Sequence, residues 1–159
     1  MFNAPPSSTE LSSLIPFTNN QYAFGQQVGV LDATVYAYEA LGETFASSSY
    51  FANKYGPPTT PFPGPFPNTA SGDLNFLVTV YQATFGVSGT SGQIQHFVDQ
   101  INFIEGFLSK AFSGVTLDLA ARGAVYGQML GIEAEINHTN AASSTGMTLV
   151  GVAVESPHS

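Results

Sequence analysis

The chain has no cysteine, and among its 159 residues only Lys54, Lys110 and Arg122 carry a positive charge, against eleven carboxylates. Each shortage excludes something. Without cysteine there is neither a disulfide scaffold nor thiol catalysis. Without a basic stripe nothing neutralises phosphates and releases their counterions, so nucleic acid is not an expected partner. A polyphosphate site would need a well-placed lysine in a glycine-rich loop, and none is present. Charged residues make up 9% of the chain, far below the roughly 25% usual in soluble domains. Much of the surface must therefore be neutral and polar, or be covered by another subunit. The net charge of −8 disfavours acidic surfaces unless a divalent cation bridges them. No run approaches the roughly 18 uninterrupted apolar residues of a membrane span, because Asp118, Arg122, Gln128 and Glu133 punctuate the best candidate. Residues 1–13 hold no basic segment followed by an apolar run of signal-peptide length, so secretion would use a route that does not read the N-terminus.

What is present is apolar (43%) and aromatic (13%), enough for one domain with a sizeable core. The expected fold is mainly α, a small helical bundle with a proline-rich extended arm and a short C-terminal β segment. Residues 1–20, with Pro5, Pro6 and Pro16 among Ser and Thr, read as an extended N-terminal arm. Residues 21–136 read as the helical domain. Its first helix carries Phe24, Val28, Leu31, Val35 and Tyr38 in one stripe and ends near Gly42, and a helical turn follows over 47–54. Asp73 is placed to cap a helix that Gly86 stops. A longer helix bears Ile94, Phe97, Ile101, Ile104 and Leu108, and a last one spans about 117–136.

The segment 56–68 interrupts this domain and holds six of the ten prolines, at 57, 58, 61, 63, 65 and 67. Such density excludes helix and central strand and implies polyproline-II geometry at about 3.1 Å per residue, roughly 35 Å in all. Two readings stand: a spacer wrapping its own domain, or an arm whose Phe62 and Phe66 insert into a neighbouring subunit. Residues 137–159 form a polar linker and then an apolar run with Leu149, Val150, Val152 and Val154. That run reads as a terminal strand that pairs within its own chain or with another.

Gly123, Gly127 and Gly131 recur every four residues in the last helix, as Gly25, Gly29, Ala33 and Ala37 do in the first. Glycine in a helix costs about 1 kcal/mol relative to alanine, so each line implies close approach by another helix. The two ridges could face each other within the monomer, or a ridge could meet another copy. Metal signals are poor. Glu133 and Glu135 point apart, His96 and Asp99 are one helical step apart with no further ligand, and there is no calcium-binding loop. The excess of carboxylates leaves calcium, bridging molecules, as the candidate ion, with no position to assign it and no other cofactor implied. His96, His138 and His158 lie far apart in sequence with no nucleophile elbow, so an enzyme is not expected. The tyrosines at 22, 36, 50 and 55 are candidate sugar-stacking residues.

The stretch 80–92, VYQATFGVSGTSG, followed by Phe97-Val98-Asp99-Gln100-Ile101, resembles a helical domain of unknown function found in bacterial type I-secreted proteins. It is also similar to the N-terminal anchoring regions of S-layer proteins. The residues 48–57, SSYFANKYGP, are similar to the end of one such repeat. The likeness covers about 42–112 and departs from the family at Val87, at Gly89-Thr90 and at Phe97, where Arg, a Pro-Asp step and Trp are usual. It implies a helical hairpin, an extracellular or cell-surface location and a cell-surface polysaccharide partner. Two expectations follow: a secreted structural protein that self-assembles into a surface layer or filament through the arms, ridges and tail, or a module that binds cell-surface polysaccharide.

Overall fold

Short polar side chains set where the helices begin. In the computed structural model, which describes residues 8–28, 32–46, 48–59, 63–140, 146–148 and 155–157, the chain is mainly helical. The helices are α1 (Ser8–Val28), α2 (Ala33–Phe45), α3 (Ser49–Tyr55), α4 (Ala70–Phe85), α5 (Ser91–Leu108) and α6 (Gly114–Asn140). Asp32 Oδ1 accepts from the Val35 N–H at 3.0 Å, Ser48 Oγ from Phe51 at 3.1 Å and Thr69 Oγ1 from Gly72 at 3.0 Å. Thr90 and Gln93 form a reciprocal capping box. Each such cap stabilises its helix by about 1 kcal/mol. Gly86, at φ 74°, closes α4 in the left-handed region that glycine tolerates.

Three expectations change here. Residues 8–20 are not an extended arm: they belong to α1, which carries Pro16 in its interior at an exposed position. Proline there removes one backbone bond, and the exposed side is where water replaces it most readily. The single stripe from Phe24 to Tyr38 is split between two helices, because Asp32 caps a new one. Gly42 stops nothing and lies inside α2.

α6 is the axis of the fold. Every residue from Ala120 to Gly131 is buried, and α2, α3, α4 and α5 all pack on it. α1 and α2 form one hairpin and α4 and α5 another, and the two meet chiefly through α6. Phe51, Phe76, Leu77, Val80, Ile101, Val125 and Met129 fill the core between them.

The ridge Gly123, Gly127, Gly131 faces α2 of the same chain. A Cβ on Gly127 would strike the Tyr38 carbonyl, one on Gly131 would come within 2.8 Å of Val35 Cα, and Gly42 and Gly123 would each collide with the other's backbone. These three glycines are therefore consumed inside the monomer, which corrects their reading as contacts between copies. The matching line on α2 is Val35, Tyr38 and Gly42, not Gly25, Gly29, Ala33 and Ala37.

The proline-rich segment doubles back. Gly64 N–H donates to Pro57 O at 2.8 Å and Phe66 N–H to Gly56 O at 3.0 Å, so the chain reverses where an extended spacer was expected. Phe66 lies edge-on to Phe76 of its own core at 5.9 Å, and is not free to insert into a neighbour. Phe62 lies outside the described residues. The described part of the tail is an antiparallel pairing of Gly146–Thr148 with Glu155–Pro157, Met147 opposite Ser156. Leu149, Val150, Val152 and Val154 lie outside the described residues.

The glycine contact yields a paired test. Gly127→Ala must push α2 off α6 and should cost more than about 2 kcal/mol, whereas Gly106→Ala, with open space around its new Cβ, should stabilise α5 by up to about 1 kcal/mol. Urea denaturation followed by circular dichroism measures both.

Candidate functional site

A lone arginine in the middle of a buried helix must find partners or fail to fold. Arg122, on α6, is completely buried, and its donors are all engaged. Nε donates to Asp73 Oδ1 at 2.9 Å, Nη1 to Tyr55 O and Phe66 O, both at 2.8 Å, and Nη2 to Pro67 O at 2.6 Å. Nη2 also pairs with Asp118 Oδ2 at 3.0 Å. The guanidinium carbon stands 5.6 Å from the centre of the Phe76 ring. Asp73 comes from the first turn of α4 and Asp118 from one turn earlier on α6. The three carbonyls are at the end of α3 and in the returning proline-rich loop. One side chain thus ties α3, the loop, α4 and α6 together.

Carboxylates outnumber the cation here. Asp73, Glu105 of α5 and Asp118 each offer an oxygen within 4.8 Å of the others. Burial is the main force on Asp118. It outweighs the Arg122 attraction and, helped by the Asp73 and Glu105 charges, pushes the carboxyl up to about 8. Glu105 is raised by burial and then by the Asp73 charge. Asp118 is thereby held toward its protonated form. A divalent cation among these three oxygens would sit against the guanidinium that already balances them, so the cluster does not fit a calcium site. With Arg122 inaccessible, it offers no reacting group to a substrate either.

Burial raises other carboxylates too. Glu135 is pushed up to about 7 by burial, with Asp32 hydrogen-bonding to it and repelling its charge. Glu39 is raised by burial against a hydrogen bond from Gln128, and Glu43 by burial and the Glu39 charge.

The tyrosines expected to stack on sugars do not converge. Tyr55 is buried and edge-on to Phe76 at 5.7 Å and Tyr126 at 5.3 Å, so it is a core residue and not a sugar platform. Tyr22 on α1, Tyr36 on α2 and Tyr50 on α3 are half-buried. Asp99 accepts from Gln95 at 2.9 Å.

A second feature is Phe103 and Phe107, which lie off the apolar stripe read for this helix in the sequence. They project outward from α5, 70% and 69% exposed. The antiparallel α4 places Leu74 and Val78 at the same end, also exposed, as the meeting of Asp73 and Glu105 requires. The outward faces of α4 and α5 carry one formal charge, Asp99. Among the described residues no helix is long and apolar enough to cross a membrane.

No protein-family model, curated protein or solved structure matches this chain.

Two measurements test the buried cluster. Arg122→Met leaves buried carboxylates and carbonyls without a partner and should cost on the order of 3–5 kcal/mol in a urea titration. Because the folded state holds the Asp118 proton where the unfolded chain has lost it, stability should fall as pH rises from about 4 to about 8, by up to about 1.4 kcal/mol per unit. Asp118→Asn should flatten that dependence in thermal melts at stepped pH. An unchanged slope would assign it to the other raised carboxylates.

Proposed function

We propose that this protein is a secreted structural subunit that self-associates into an extracellular layer or filament, with the outward face of α4 and α5 as its contact. The observation that carries the proposal is the exposure of Phe103 and Phe107 on a nearly uncharged face. Each exposed ring leaves on the order of 100 Å² of apolar surface in water, which costs about 2.5 kcal/mol, and Leu74 and Val78 extend the patch. A second copy is the occupant best matched to it. Molecules of net charge −8 repel, and on this face each copy brings a single carboxylate, Asp99, to the contact. The glycine ridge and Phe66 are used internally, so this surface takes the role first given to them. The apolar run of the tail, with Leu149, Val150, Val152 and Val154, remains part of the proposal as a contact between chains.

The extracellular setting is supported by the resemblance of the α4–α5 hairpin to helical modules of type I-secreted and S-layer proteins. Calcium enters as a bridge between acidic surfaces of neighbouring subunits. Polysaccharide binding has less support, since one of its four tyrosines is buried and the rest lie on three different helices.

Light scattering of the purified protein should show association that strengthens with salt, because salt screens the net repulsion while leaving an apolar contact intact. Phe103→Ser with Phe107→Ser should abolish it without lowering the melting temperature. A wild-type monomer at all salt concentrations, in calcium and in EDTA, would sink the proposal.

A further inference from the structure

Glu43 is a half-buried carboxylate with no hydrogen bond or ion pair among the described residues. It lines a cavity of about 640 Å³ between α1, α2, α3 and the start of α6, within the range of roughly 300–1,000 Å³ typical of small-molecule sites. The lining is mostly apolar. Alanines at 40, 46, 52 and 120 leave the space that larger side chains would fill, and Phe17 and Phe112 supply aromatic walls. The nearby hydroxyls are committed to the fold: Thr44 Oγ1 donates to Ala40 O at 2.9 Å, and Ser48 Oγ caps α3. Gln21 and Thr116 add neutral polar groups to the lining, and Glu43 is its one charged group, the one that would set the sign of a ligand.

Among the described residues no cation pairs with it. Arg122 is spent on the buried cluster, Lys54 stands over the rings of Tyr50 and Tyr55 at 5.8 and 5.4 Å, and Lys110 is exposed and does not line the cavity. One helical turn away Glu39 adds a second negative charge, and together with burial it makes an ionised Glu43 unfavourable. An arriving positive charge relieves both.

We propose that this cavity is a binding site for a small organic ammonium, an amine with an apolar body of about ten heavy atoms. The ammonium would pair with Glu43, the apolar body would fill the alanine-lined space, and Phe17 and Phe112 would add cation–π attraction. A hard divalent ion is a poor match, because it requires six or more oxygen ligands and the lining offers one carboxylate. The site shares no residue with the α4–α5 face and does not depend on self-association.

The probe pair is 2-phenylethylamine, protonated at neutral pH, and 2-phenylethanol, its neutral counterpart, titrated calorimetrically and by amide chemical shifts at pH 7. The amine should bind at least tenfold more tightly, a difference of about 1.4 kcal/mol. Glu43→Gln should bring the amine to the level of the alcohol while leaving the alcohol unchanged. Thr116→Trp, a substitution at an exposed position on the rim, should abolish both. No saturable amine binding, equal affinity for the two probes, or amine binding indifferent to either variant would overturn the proposal. The amide spectrum of each variant shows at once whether its fold is intact.

Discussion

A single guanidinium with no access to water holds the molecule in register. Arg122 binds two carboxylates and three backbone carbonyls at once, and the carbonyls lie 67, 56 and 55 residues away along the chain. Burying such a charge is favourable only when every donor is answered, so each partner is required by the others. The proline-rich loop is one of these partners. Its own backbone bonds, Gly64 N–H to Pro57 O and Phe66 N–H to Gly56 O, turn it back, and the turn brings the Phe66 and Pro67 carbonyls to the guanidinium. The same guanidinium lies against Phe76, which joins the polar cluster to the aromatic core.

Scarcity of positive charge is the second constraint. With three basic side chains for eleven carboxylates, burial of acidic groups cannot in general be answered by ion pairs. The fold answers it with protons. Asp118 beside Asp73, and Glu135 beside Asp32, are raised toward neutrality. Glu39 and Glu43 stand one helical turn apart with no cation between them. The acidity of the chain is thus partly internal, and the surface is left polar, neutral and locally apolar.

Much of the helical scaffold could be read from the sequence, because apolar spacing and helix-ending glycines are local signals, although the cap expected at Asp73 is Thr69 and Asp73 lies inside α4. The stripe from Ile94 to Leu108 and the stop at Gly86 are of this kind. Proline misled at two places for the same reason. Pro16 looked like a helix breaker although a solvent-facing proline can remain in a helix, and the prolines of 56–68 suggested extension although backbone bonds to Pro57 and Gly56 turn the segment back. The glycine ridge announced a close contact correctly, but its partner on α2 includes Tyr38, whose backbone and not its side chain makes the approach. The arginine site was missed although its signal was plain: a solitary cation amid small buried residues on a helix has to be bound from every side, and only tertiary structure says by what.

The central position of α6 carries a consequence for how the protein comes into being. The two earlier hairpins, α1 with α2 and α4 with α5, have little to pack on except that last helix. As the polypeptide is made from its first residue onward, residues 1–113 all precede the element on which both hairpins pack. The chain therefore stays open while it lengthens, and closes in one late step when α6 arrives.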